Sequence, residues 1–178
     1  MGQFIAEQFR INAHPMLGSR VYGASVATNQ RLPFLLLIEL AIFVPLYLHA
    51  FCGLCRVAKN LSNLTQALYA LNGMYSLQRW TGVIVLIFVT VHLWQCRFGL
   101  GWRFQDEHNG LVLPVWLGVG VVSVLATMFH FANVRWNFRI NRGITVGQRA
   151  QLISSYVWTG AGLALSLFGL GSLRGFLS

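Results

Sequence analysis

Four runs of apolar residues, each near the ~20 residues an α-helix needs to cross a hydrocarbon core, constrain this chain more than any other feature. They cover roughly residues 33–56, 77–98, 111–134 and 151–173. In lipid, backbone groups must be satisfied inside the segment or in a closed barrel. These runs are too long and too continuously apolar for barrel strands, so each is predicted to be a helix. The expected fold is all-α, an integral membrane helical bundle with four transmembrane helices. Residues 1–32 are read as an outer polar segment and 33–178 as the bundle. Pro33 and Pro114 fall in expected first turns, where proline is tolerated, and Pro45 lies inside the first run and is expected to kink it. No internal repeat or low-complexity tract is visible.

Composition agrees with a bilayer as solvent: 56% of the 178 residues are hydrophobic and 10% are charged. The net charge of +9, from 13 Lys and Arg against 4 Asp and Glu, does not point to nucleic acid. A nucleic-acid binder sets its cations among exposed polar and aromatic residues on a folded face, whereas here they flank the apolar runs as loop charges do. Cys52, Cys55 and Cys96 lie within or at the edge of apolar segments, which argues against a disulfide framework. Residues 1–32 contain no basic start followed by an apolar stretch, so no cleavable signal peptide is visible.

Charge also gives a direction. Arg56, Lys59 and Arg79 surround the first linker, and Arg135, Arg139, Arg142 and Arg149 lie in the third, with no acid in either. The second linker mixes Arg97 and Arg103 with Asp106 and Glu107. By the positive-inside rule the first and third linkers are cytoplasmic, and the spans run alternately inward and outward from the first. Residues 1–32 then lie outside, and a segment of that kind ordinarily crosses only behind an earlier membrane helix.

Depth follows from helical rise. At ~1.5 Å per residue, His49 stands about 16 residues into the first, inward-running span and His130 about 19 residues into the third, which also runs inward. Both belong to the inner leaflet. His92 is about 15 residues into the second, outward-running span and so belongs to the outer leaflet. Two imidazoles at one depth on different helices suit bis-histidine ligation of a haem, with neutral nitrogens at both axial positions. A zinc site wants further His, Cys or carboxylate ligands at that depth; Cys52 and Cys55 raise the option, but no closed tetrahedral set is evident. The "CGLC" stretch is followed by Arg56, where a c-type haem signal has histidine. The alternative for each buried histidine is a hydrogen bond to a neighbouring carbonyl or hydroxyl, but three histidines in four spans, two of them depth-matched, favour a cofactor. His14 and His108 fall in polar segments and are expected to be exposed.

Small residues recur near the candidate ligands: Gly53 follows His49, and Ser123, Ala126 and Thr127 precede His130. They leave room for a porphyrin, and they are also how membrane helices pack closely. At the inner edge Gln78, Arg79 and Thr81 open the second span and Arg139 and Arg142 follow the third. These are candidate partners for haem propionates, Arg79 foremost, with a topology anchor as the alternative for each arginine. Glu39, the one acid within a span, either snorkels to the interface or serves as a proton or quinone group near the depth of His92. It is on a different face from His49, about 15 Å away.

The segments "LPFLLLIELAIFVPLYLHAF", "YSLQRWTGVIVLIFVTVHLW" and "ATMFHFANVRWNFRINRGITV", with "SSYV" opening the last span, resemble the single-subunit dihaem cytochrome b anchors of succinate:menaquinone oxidoreductases and fumarate reductases, most closely the Bacillus-like branch. The resemblance runs from about Leu32 to the C-terminus. It implies five spans and four histidines ligating two b haems. His49 and His130 match the pair for the haem nearer the iron–sulfur subunit, and His92 matches one ligand of the outer haem. The other outer ligand would come from a first helix that residues 1–32, which look like the outer loop following it, do not supply; a missing upstream segment is the expected source, with loss of the helix or its supply by another polypeptide as the alternatives.

The resemblance further implies a subunit of the bacterial inner membrane on whose cytoplasmic face an iron–sulfur and a flavoprotein subunit dock. It would carry electrons through haem b to or from a quinone within the lipid, menaquinone being the quinone the resemblance implies. Flavin chemistry would lie elsewhere in the complex. The inner-face cations would suit an acidic docking surface. Two other readings compete: a b-type cytochrome anchoring a different dehydrogenase, such as a hydrogenase or formate dehydrogenase, and a haem-free anchor or small transporter whose histidines line a polar path.

Overall fold

A computed structural model describes residues 11, 13–59, 70–98 and 104–177, and every regular element among them is helical. A short 3-10 turn, His14–Leu17, leads into α1 (Ser19–Gln30). Then follow α2 (Leu35–Lys59), α3 (Ala70–Phe98), α4 (Phe104–Leu111), α5 (Pro114–Asn141) and α6 (Gln148–Leu177). The four longest, α2, α3, α5 and α6, are long and apolar enough to cross a membrane. They coincide with the four predicted spans, and each runs past its apolar stretch at one end or both. Hydropathy marks only the hydrocarbon, whereas helical hydrogen bonding continues into the headgroup region, where Arg135, Arg139 and Asn141 extend α5.

The helix ends follow local chemistry. Pro114 occupies the first turn of α5, where a missing N–H leaves nothing unsatisfied. At the other end Gly143 takes φ +65, its N–H donates to Ile140 O at 3.0 Å, and the N–H of Ile144 donates to Arg139 O at 2.9 Å. This is a Schellman closure, in which a left-handed residue after the last helical one lets two orphan carbonyls be satisfied. Pro33 departs from expectation: α2 begins at Leu35, and the proline sits in the turn before it, ahead of Phe34 at φ +59. Helix α2 continues through Pro45.

Helix α5 is the central element, packed between α3 on one side and α6 on the other. Close approach to α6 is made through glycine. A Cβ built on Gly162 would lie 3.0 Å from the Cβ of Ala132, and one on Gly169 would lie 2.8 Å from Cγ1 of Val124. Helices in lipid gain nothing by hiding leucine from water, so van der Waals fit at such small-residue seams holds the pair. Helix α2 is peripheral. Its one buried residue is Leu46, which joins Val85, Val89 and Ala126 in a cluster, while Leu36, Leu37, Leu40, Leu48 and Phe51 are exposed. A helix apolar on all sides that packs on one side only offers the rest to lipid. The hydroxyls of Tyr47 and Thr90, 3.2 Å apart, add a polar tie between α2 and α3.

The described part of the N-terminal segment is folded against the bundle. Tyr22 and Val26 of α1 pack with Leu111 of α4 and Phe176 of α6, the Tyr22 and Phe176 rings meeting edge to face at 5.2 Å. The 3-10 turn lies on α6 so closely that a Cβ at Gly175 would stand 2.8 Å from the main-chain nitrogen of Met16. His108, expected to be exposed, is half-buried, with Nδ1 2.7 Å from the main-chain oxygen of Phe176. That carbonyl is one of the last of α6, whose helical partners have run out. His14 is likewise half-buried, with Nδ1 3.3 Å from Ile11 O.

Candidate functional site

The inward face of α5 repeats at helical spacing: Ser123, Ala126, His130 and Asn133 are all buried. Thr127 closes its hydroxyl onto Ser123 O at 2.7 Å, so it makes no demand on the neighbouring helix. Opposite this face α3 presents Gln78, Thr81, Gly82 and Val85. Gly82 gives the histidine its room, since a Cβ there would stand 3.0 Å from Cε1 and 3.4 Å from Nδ1 of His130.

His130 Nδ1 is surrounded by polar atoms of α3. The main-chain oxygen of Gln78 lies 3.1 Å away, the side-chain nitrogen of Gln78 2.9 Å away and the Thr81 hydroxyl 3.5 Å away. Thr81 is buried and donates to Leu77 O at 2.8 Å. Gln78 also receives the amide of Asn133 on its Oε1 at 2.9 Å, and Asn133 receives the amide of Asn137 at 3.3 Å. A line of three amides therefore runs from the imidazole along α5 toward the end bearing Arg135 and Arg139.

Across from His130 stands His49 of α2, on the outer, exposed side of the site. The two ring centroids are 6.4 Å apart with their planes inclined at 79°. The depth-matched histidines are thus brought together. His92 is not with them: it is further along α3, its ring stacked on Phe88 at 5.5 Å and 13°. Cys52 and Cys55 are free and exposed, and no three His, Cys, Asp or Glu side chains converge as a metal site among the described residues.

The inner-edge residues divide. Gln78 and Thr81, grouped in the sequence with Arg79 as propionate partners, turn toward the His130 ring. Arg79 is half-buried beside them. Arg142 is exposed and lies over the Phe138 ring at 5.6 Å. Arg135 and Arg139 both lie over Trp158 of α6, at 5.8 and 5.9 Å. Arg139 is nine residues from His130, half a turn round the helix at ~100° per residue, so it faces away from the histidine pair. Sequence reasoning passed over Asn133 and Asn137. Their signal was spacing: 130, 133 and 137 share one face of α5, and an amide on the buried face of a membrane helix needs a partner.

The fold is that of a multi-pass helical protein of the membrane, in which an exposed imidazole on α2 faces a buried one on α5 and a line of amides backs the buried ring. The chain is 36% identical over 182 residues to the succinate dehydrogenase cytochrome b558 subunit of Bacillus subtilis (strain 168), the match covering 99% of this chain and 90% of that protein. It belongs to that family, the cytochrome b membrane-anchor subunits of bacterial succinate dehydrogenase. The match takes in nearly all of residues 1–32, which the resemblance read from the sequence did not reach. No family model and no solved structure matches the chain.

Proposed function

We propose that this chain is the haem-bearing electron-transfer anchor of its succinate dehydrogenase, with His49 and His130 as the axial ligands of one haem b. The observation that carries the reading is the 6.4 Å between the two ring centroids. Two metal–nitrogen bonds of ~2 Å, with each ring centre about 1 Å behind its nitrogen, separate the centroids of a shared ion's two imidazoles by roughly 6 Å. The donor set fits a macrocycle that supplies its own four nitrogens and asks the protein for two. It does not suit zinc, for which two protein ligands are too few.

Haem, when bound, supplies a one-electron carrier between the iron–sulfur subunit and a quinone in the lipid. The chain's residues do the rest. His130 is fixed from behind by α3, Gly82 leaves its ring uncrowded, and the Leu46, Val85, Val89 and Ala126 cluster keeps the outward side of the pair dry. Arg79 and Arg142 stand at the inner edge as candidates for propionates, and the arginines following α5 offer a cationic face to the partner subunits. His92 belongs to a second, outer site.

The test is a pair of substitutions in the assembled complex, read by reduced-minus-oxidised difference spectra. His49→Ala and His130→Ala are expected to lose the same haem component. Loss of different components, or of none, rejects the pairing.

A further inference from the structure

The polar atoms around His130 contain a conflict that points to a further role for Gln78. An imidazole that ligates iron through Nε2 needs its lone pair there, so in the neutral ring the proton sits on Nδ1. That N–H finds an acceptor in Gln78 O at 3.1 Å. The side-chain nitrogen of Gln78, however, is 2.9 Å from the same Nδ1, and an amide nitrogen is only a donor. With Nδ1 protonated, donor would face donor; with Nδ1 bare, the proton moves to Nε2 and the ring cannot bind iron.

A half-rotation of the Gln78 amide exchanges its ends without moving the backbone. Oε1 then accepts from Nδ1–H, and Nε2 turns to the Asn133 side chain 2.9 Å away. Asn133 must rotate in turn to present its oxygen, and its nitrogen then meets Asn137, where the present contact is 3.3 Å. The bond from Gln78 Nε2 to His130 O at 3.2 Å is given up, and because two oxygens would then face each other the amide must also swing Oε1 off that carbonyl toward Nδ1–H, leaving the carbonyl to its place in the helix. All three amides reverse together.

We propose that Gln78, Asn133 and Asn137 form an amide chain of two polarities, and that Gln78 in the reversed one is a positioning residue that locks His130 in the iron-binding tautomer. This rests on the reading of His130 as an axial ligand. A partner accepting from the distal N–H of a ligating histidine raises the basicity of that ligand, which favours ferric over ferrous iron.

The test is the midpoint potential of the haem that His130→Ala abolishes, measured by redox titration of membranes holding the whole complex. Gln78→Leu is expected to raise it and Gln78→Glu to leave it equal or lower, because a carboxyl still accepts. A Leu variant with an unchanged or lowered potential, or a Glu variant with a raised one, overturns the proposal. A merely structural role would move both variants the same way. If Gln78→Leu holds no haem, Asn133→Leu, one step further from the ring, is read instead: a smaller rise is expected, and no change or a fall overturns the proposal. The two readings fail separately, since full haem retention in His130→Ala removes the ligand itself, whereas unmoved potentials with haem lost in His130→Ala remove only the role of Gln78.

Discussion

Gly82 of α3 lies directly against the imidazole of His130, so close that a single methyl group at position 82 would stand 3.0 Å from Cε1. Because His130 is also held from α3 by Gln78, its ring cannot retreat without giving up that contact. Gly82→Ala is therefore expected to displace the histidine. Overpacking of this kind costs about 1–3 kcal/mol, which lowers haem affinity by roughly 5- to 150-fold. Haem per polypeptide after purification measures it. Gly73→Ala, on the same helix with nothing within 4 Å of its added Cβ, is the control that should retain full haem.

The architecture was legible because membrane helices announce themselves by length: without water every backbone bond must close within the run, so an apolar stretch is nearly a structural assignment. Depth counting worked for the same reason. Helical rise is fixed, and it put His49 and His130 on one level before any contact was known. The side-chain roles at the inner edge were not legible in this way. Depth says how far in Gln78 stands, not which way it turns, and facing His130 rather than the membrane edge depends on how α3 is rotated about its own axis. That rotation is set by tertiary packing at Gly82 and Val85. The fold of the segment before Pro33 was hidden too, since α1 is mostly polar and is held by Tyr22 and Val26 against other elements rather than by a pattern of its own.

The α5–α6 seam can be tested by exchange. Gly162 and Ala132 share one space, with 3.0 Å between an added Cβ and the existing one. Gly162→Ala alone should destabilise the bundle by about 1–3 kcal/mol. Ala132→Gly introduced with it removes the clashing methyl and should recover most of the loss. Thermal denaturation in a fixed detergent, single variants against the double, provides the comparison. Additive losses in the double variant would show that the two positions do not share a space.

At the C-terminal end of α6 the neighbour is backbone and cannot yield. A Cβ at Gly175 would stand 2.8 Å from Met16 N and 2.9 Å from the carbonyl carbon of Pro15. Gly175→Ala is expected to lift the His14–Leu17 turn off α6 and loosen α1 with it. Hydrogen exchange over residues 13–30 should accelerate while α3 and α5 keep their protection. Unchanged exchange in that stretch would show that the turn is held elsewhere.

His92 provides the last check on depth. It follows Thr81, which lies 3.5 Å from His130, by eleven residues, about 16 Å of helix at ~1.5 Å per residue. Its ring is stacked on Phe88, one turn back along the same helix, rather than on either member of the histidine pair. The haem component lost in His49→Ala and His130→Ala should accordingly be present at full amplitude in His92→Ala, with an unshifted absorption maximum. Any component that does disappear must be a different one. If the shared component vanished instead, His92 would have to reach the inner pair across three turns of α3, which a continuous helix from Ala70 to Phe98 does not permit, and the ligand assignment of all three histidines would have to be redrawn.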